Sequence, residues 1–471
     1  MVRRESEPRY AMKKATDDKI RRTLLCLVLG VGVLATAQAV ESNNVWPAPA
    51  YESGKEVLSG EFPPLDESAV LSDYLAYAAL ANPGLEAAFN RWKAAVAKAV
   101  QVDALPNPKF TFGYFIEEVE TRVGPQEYRV GLSQMFPWFG KLKLRGDVAA
   151  AEANAAFEQY QAVKLDLFAG VKRVYYEYYY LGRAISITED NIELLKHLEG
   201  VARSKLKAGA SQSGVIKAQV ELGKLDDRLR SFQDMRGPMV ARLNASMNRP
   251  RDASLPWPRF VALVGAEIQE EEMFEQLAAA NPELKSLDSL IQKEEQAIRL
   301  ARKEYYPDFA LGVDFVSTDE ALMSGVRDSG RDPVVAMIAL DIPIWRGKYK
   351  AGVQETRRRL LAAELTRENR SNLLEADLRI ALFRFRDTER KINLYGDTLV
   401  PLAGQALNVT EEAYRSGSAD FLNLIDAERL LLEFQLAHER ALADREIALA
   451  EVEKLVGRPL GIRTTKVGET R

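Results

Sequence analysis

Phe110-Thr-Phe-Gly-Tyr-Phe-Ile116 is the stretch on which the fold turns. Phe110, Phe112, Tyr114 and Ile116 fall on one side of a period-two alternation, with Thr111, Gly113 and Phe115 on the other. Three further segments repeat the pattern. Tyr128, Val130, Leu132 and Phe136 share one side, as do Phe309, Leu311, Val313 and Phe315, and Val334, Ala336, Ile338, Leu340 and Ile342. Alternation of this kind predicts half-exposed strands, placed at 109–117, 128–136, 308–316 and 334–342. Each is about 9–11 residues long, the length of a tilted membrane-spanning strand. An aromatic-rich face backed by a small or polar one is the pattern of a transmembrane β-barrel; two soluble hairpins packed on helices would share it. A strand edge cannot face lipid unpaired, so a barrel must close. Four strands cannot close one, and about eight leave no open channel. A membrane location therefore requires several chains, and three would supply twelve strands.

Outward from the strands lie helices of unusual length. The stretch 142–207 contains no proline, is rich in Ala, Leu, Glu, Gln and Lys, and stops before Gly209. As one helix of roughly 65 residues it would measure about 100 Å. The stretch 348–414 matches it except for Pro401, which predicts a kink or interruption there. Rods of this length need lateral coiled-coil packing. In the last helix Leu424, Ala427, Leu431, Phe434, Ala441, Ala448, Val452 and Leu455 predict the seam, interrupted at His438 and Arg445.

The chain also repeats itself. Asn82-Pro83 recurs as Asn281-Pro282, Pro108 as Pro307 and Gly113 as Gly312, all at an offset of 199. Phe136-Pro-Trp-Phe-Gly-Lys141 echoes in Ile342-Pro-Ile-Trp-Arg-Gly-Lys348, Lys207-Ala-Gly209 in Arg415-Ser-Gly417, and Arg249-Pro250 in Arg458-Pro459. A unit of about 200 residues, duplicated, accounts for the common order. The expected division is a leader over 1–39, an N-terminal segment over 40–70, a first copy over 71–250, a linker over 251–270, a second copy over 271–459 and a tail over 460–471.

The leader combines Lys19, Arg21 and Arg22, an apolar run from Leu24 to Ala35 and the small-residue exit Ala37-Gln-Ala39. This is the build of a secretory signal peptide, too short for a spanning helix. Met12 offers a second start ahead of a more ordinary basic region. Removal of 1–39 takes the formal charge from −4 to −8, since that segment holds eight basic and four acidic residues, and it removes Cys26, the only cysteine. Cys26 lies inside the apolar run after Thr23-Leu-Leu25, which argues against lipidation.

Composition excludes several classes. With 64 Lys+Arg against 68 Asp+Glu, the chain lacks the basic excess of a nucleic-acid binder. Two His and one Cys leave little for a zinc site, a thiol nucleophile or a histidine triad. His197 and His438 stand far apart and the nine Met are scattered, so neither a metal cluster nor a cofactor is expected, and no enzymatic activity.

Over roughly residues 70–460 the chain resembles the TolC family of bacterial outer-membrane channel proteins, the exit ducts of tripartite efflux pumps and of type I protein secretion. The resemblance is carried by the twofold repeat, the hairpins flanked by long helices, the Phe136–Lys141 segment, and Tyr414-Arg-Ser-Gly417 leading to Phe421-Leu-Asn-Leu-Ile-Asp-Ala-Glu428. Phe136–Lys141 is most similar to members of the heavy-metal, cation-efflux branch. The resemblance implies a mainly α fold with a small β-barrel part: a homotrimer with a twelve-stranded barrel in outer-membrane lipid above a twelve-helix periplasmic tunnel. It implies a passive duct for substrates, metal cations among the candidates, delivered by an inner-membrane efflux pump and a periplasmic adaptor (membrane fusion) protein. Gly209, Ala210, Gly417 and Ser418 would lie at the periplasmic tip and meet the adaptor, and Asn423 and Asp426 would narrow the tunnel mouth. Asn423 is neutral where the family often has an acid. Glycine at 209 and 417 suits the left-handed helix end, and Ser211, Ser213, Ser418 and Asp420 are good N-cap residues. The competing reading is an exported, non-channel coiled-coil protein, which gives no reason for four alternating strands.

Overall fold

In a computed structural model the described residues are 62–209, 211–258 and 268–460. The leader, Cys26, Ala210, most of the 40–70 segment, the middle of the 251–270 linker and the tail beyond Leu460 lie outside them.

The first half runs α1 (Leu71–Ala81), α2 (Pro83–Asp103), β1 (Lys109–Thr121), β2 (Gly124–Phe136), α3 (Lys141–Lys207) and α4 (Ser213–Ser246). The second runs α5 (Glu270–Ala280), α6 (Pro282–Lys303), β3 (Asp308–Thr318), β4 (Val334–Asp341), α7 (Arg346–Asn393), a π-helical turn (Leu394–Leu399), α8 (Val400–Ser416) and α9 (Phe421–Val456). Both halves open on the same device. Asn82 Oδ1 accepts the Leu85 amide (3.0 Å) and Asn281 Oδ1 the Glu283 and Leu284 amides (2.9 and 3.1 Å), each with proline at the first helical position.

The four strands form one antiparallel sheet, ordered β1-β2-β3-β4. β1 and β2 reach 13 residues each, past the expected ends at 117 and 128. Glu117, Glu118 and Glu120 break the apolar alternation, but backbone pairing is indifferent to side-chain polarity and resumes beyond a bulge between Tyr114 and Val119. β3 likewise runs two residues past 316, and β4 stops one short of Ile342. Register aligns Phe110, Leu132, Val313 and Ala336 in one row and Phe112, Val130, Phe315 and Val334 in the next. This face is bare: Phe110, Phe112, Tyr114 and Ile116 are all exposed. The opposite face places Thr111, Gly131, Asp314 and Val335 in a row, where the buried Asp314 carboxylate lies over Gly131 and pairs with Arg129. A Cβ at residue 131 would collide with that carboxylate.

α3 is one unbroken helix of 67 residues. Ala149, Ala151, Ala153 and Ala155 are all buried, although alternate residues point to opposite sides of a helix, because α2 and α6 flank this stretch. Small side chains permit the close approach. Farther along, Val171, Val174 and the tyrosines 175, 176 and 178 pack with Tyr74 of α1, Leu243 of α4 and Met247 just past its end. A third cluster joins Met273, Leu277 and Leu284 to Leu374, Leu378 and Leu382 of α7 and Val452, Leu455 and Val456 of α9.

The interruption expected at Pro401 is present, and the seam expected on α9 needs correction. The break at Pro401 takes the form of the π-helical turn directly before it, because the missing proline N–H leaves the Asp397 carbonyl without its usual partner. Gly396 in that turn leaves room for the His438 ring. The α9 seam is also wider than predicted. Ala427, Leu431 and Phe434 are only half-buried, whereas Ile425, Glu428, Leu432, Leu436 and even Arg445 are buried. Several helices cover α9, so burial does not follow a single stripe.

Candidate functional site

The helices reverse at the end remote from the sheet. α3 stops at Lys207, Ala208 caps it, and Gly209 takes φ +97°, its amide donating to the Leu206 carbonyl (3.0 Å). α8 stops at Ser416, and Gly417 takes φ +88°. There the Gly417 amide donates to the Tyr414 carbonyl (3.1 Å) and the Ser418 amide to the Ala413 carbonyl (2.9 Å), the paired bonds of a Schellman ending. A Cβ at either glycine would meet nothing within 4 Å, so the backbone angle alone favours glycine at both places. Asp420 caps α9 by accepting the Phe421 amide (2.7 Å), and Ser418 Oγ donates to the Ala413 carbonyl (3.1 Å). Of the other predicted caps, Ser211 Oγ accepts the Ser213 amide (3.2 Å), while Ser213 is itself the first residue of α4.

The two reversals meet. Lys205 Nζ donates to the Tyr414 carbonyl and sits 4.5 Å from the centre of that ring. Tyr414 stands edge-on to Phe421 (5.3 Å), and Phe421 closes over Gly214, where a Cβ would come within 3.2 Å. Burial raises the Tyr414 phenol above its ordinary range. On the flank, Glu411 binds His197 (3.2 Å) and Arg415 (2.5 Å). None of these links between the tips follows from sequence spacing, since Lys205 and Tyr414 are 209 positions apart.

Asn423 and Asp426 are both exposed on the first turns of α9. Asp426 lies 3.5 Å from Arg429 Nη1, so its charge is partly offset within the chain. Arg429 also grips Glu221 of α4, and that hydrogen bond holds the Glu221 carboxyl below its ordinary range. Beside them Glu428 is wholly buried, and neither carboxylate oxygen has a hydrogen-bond partner. Burial, reinforced by the nearby Glu221 charge, pushes its carboxyl up to about 7. Glu428 stood in the sequence only as the end of the Phe421–Glu428 motif; periodicity gave no sign that an acid would be buried there.

At the sheet end, Phe136-Pro-Trp-Phe-Gly-Lys141 forms the junction of β2 and α3. Lys141, 2% exposed, donates to Glu304 (3.3 Å), to the Tyr306 carbonyl (3.1 Å) and to Asp308 (2.8 Å). Asp308 also accepts the Trp138 amide (2.7 Å), and the Trp138 ring stacks on Tyr306 at 5.5 Å. In the second half the matching Trp345 and Lys348 are exposed.

Comparison with known proteins bears on this arrangement. The pyoverdine export outer membrane protein OpmQ of Pseudomonas putida is 23% identical over 319 residues, 63% of each chain, so the chain spans somewhat under two thirds of that relative. The outer membrane protein OprJ of Pseudomonas aeruginosa is 23% identical over 348 residues, 70% of each chain. Among solved structures the outer-membrane channel OprN superposes with a TM-score of 0.71 at 17% identity, over 82% of this chain and 89% of its own, and so shares the fold. The outer membrane efflux protein family matches residues 75–228 and 273–458, which take in both hairpins, both sets of long helices and both reversals. By that match, over well more than half its length, the chain belongs to the outer membrane efflux protein family.

Proposed function

We propose that the chain is the exit duct of a tripartite efflux system: three copies forming a passive channel through the outer membrane, fed by an inner-membrane pump through a periplasmic adaptor. The observation that carries this is the sheet. Its aromatic face is exposed along β1, and in one chain β1 and β4 each offer an edge with no described partner. Joining β4 of one copy to β1 of the next closes a barrel whose apolar face meets lipid and whose Arg129 and Asp314 face the lumen. The helices support the same closure. α3 is flanked by α2 and α6, whereas α7 leaves Leu361, Leu365, Leu373, Ile380 and Phe383 exposed. By the twofold repeat, α2 of the next copy, with Val96 and Val100 exposed, supplies the missing flank. The bounds 71–250 and 271–459 describe the two copies of the unit.

At the far end, Gly209, Ala210, Gly417 and Ser418 are the proposed adaptor contacts, and Asn423 and Asp426 the proposed narrowing. Ala210 lies outside the described residues; the other five are exposed. The description of OpmQ as a pyoverdine export protein supports a small organic cargo. A metal cargo rests on the Phe136–Lys141 segment, whose lysine and tryptophan are already engaged in packing. Purification in detergent followed by light scattering and planar-bilayer recording tests the reading. A trimer that conducts supports it; a monomer without conductance overturns it.

A further inference from the structure

Glu428 is the one described carboxylate at the tip that the duct reading leaves unexplained. On α9 it shares a helix face with Leu424, Ile425 and Leu432, three members of the buried cluster that also holds Leu195 and Leu198, and it is fully buried with both oxygens unpartnered. An ionised carboxylate in such a place is strongly unfavourable, whereas a protonated one is tolerable.

Several charged groups near this level of the bundle are paired with one another. On α4, Glu221 pairs with Arg429 and with Lys224 (3.2 Å). On α3, Glu199 holds Arg203 (2.8 Å) and Gln219 (3.2 Å). On α8, Glu411 holds Arg415 and His197 of α3. On α9 itself, Asp426 faces Arg429. Glu221 and Arg429 are the neighbours whose charges act most on Glu428, and they act in opposite senses.

We propose that Glu428 is a proton-sensitive latch of the tip: protonated, it lets α9 pack against α3 and α4 as seen, and its ionisation loosens α9 and biases the tip toward an open mouth. Only the last step rests on the reading of the tip as the duct's mouth. The ionised form is stabilised when the side chain reaches water, so release and proton loss are linked. For a carboxyl that titrates near 7 when packed and in the ordinary range when released, the ratio of loosened to packed tips should rise about tenfold between pH 6 and pH 8.

Hydrogen exchange on the full-length protein in detergent, corrected for the intrinsic pH dependence of amide exchange, tests the latch. Protection of residues 421–436 should fall about tenfold from pH 6 to pH 8 in the wild type and stay constant in Glu428→Gln and in Glu428→Leu. Glu221→Gln should move the midpoint to lower pH, because a like charge is removed and Arg429 is freed. His197→Gln, which removes the imidazole at this end, should leave the wild-type profile intact. A flat wild-type profile, or Glu428 variants that retain the pH response, would overturn the proposal. Bilayer conductance separates the two readings. Conductance that follows exchange supports both; exchange that follows Glu428 beneath a flat conductance supports the latch and overturns the tip as the mouth.

Discussion

Lys141 Nζ lies 2.8 Å from Asp308 Oδ1, joining the start of α3 to the start of β3 across 167 positions of chain. The lysine is buried in this contact and the aspartate nearly so. The pair thus ties the first hairpin's exit to the second hairpin's beginning, at the boundary where sheet becomes helix.

Lys141→Met should lower stability by about 3 kcal/mol, since it leaves the largely buried Asp308 without its cation beside an apolar group. Lys348→Met, at a counterpart with no ion pair among the described residues, should cost clearly less. Thermal melting of the two variants in one detergent checks the contrast, and equal losses would refute the assignment of Lys141 as a buried tie.

Phe112 is 61% exposed on the apolar face of the sheet. If that face meets mid-bilayer lipid, Phe112→Arg should cost about 2–4 kcal/mol, while Thr111→Arg on the opposite face should cost far less. Reversible unfolding in lipid vesicles measures both. A tolerated Phe112→Arg would count against a lipid-facing surface.

Gly417 holds a left-handed angle in open space. Gly417→Ala should therefore cost about 1 kcal/mol from the backbone alone, and Gly417→Trp little more, with the trimer still assembling. If Gly417 belongs to the proposed docking surface, export in cells should fall much further for Trp than for Ala, because the larger side chain would block the adaptor. Equal export by the two variants would remove Gly417 from the docking surface.

If Asp426 narrows the mouth as proposed, Asp426→Asn should weaken cation preference and block by multivalent cations in planar bilayers, through loss of three like charges near one axis. Because Arg429 offsets part of that charge, the effect should be partial and should grow in Arg429→Gln. Unchanged selectivity in Asp426→Asn would make it a solvated helix residue.

Stability should also depend on pH through Glu428. Its carboxyl is raised from the ordinary range to about 7, so between those values the folded chain holds a proton that the unfolded chain has lost. This contribution is fully present below the ordinary carboxyl range, declines as pH rises toward 7, and is gone above it. Glu428→Leu should flatten that part of the stability profile, read by denaturant melts at pH 5 and pH 8.

Much of this protein was legible along the chain. Period-two alternation located all four strands, because in a strand the side of each residue follows from position alone. The proline-free 142–207 stretch announced a helix that runs from Lys141 to Lys207, and glycine at 209 and 417 marked two reversals that a left-handed angle requires. Strand ends were less legible, since backbone pairing carried β1 past Glu117 and Glu118 regardless of their charge.

What local pattern could not supply was the identity of each residue's distant neighbour. Lys141 and Lys348 occupy matching places in the repeat, yet the first is buried on Asp308 and the second exposed, because in a single chain only the first has the other half beside it. Asp314 over Gly131, Lys205 on Tyr414 and the buried Glu428 are likewise products of helices and strands brought together from far apart. Periodicity is a property of one segment, whereas burial and charge pairing belong to the packing of several. The sequence therefore determined the elements, their repeat and their turning points; the tertiary structure decided which charges are paired and which carboxylate is left alone in the core.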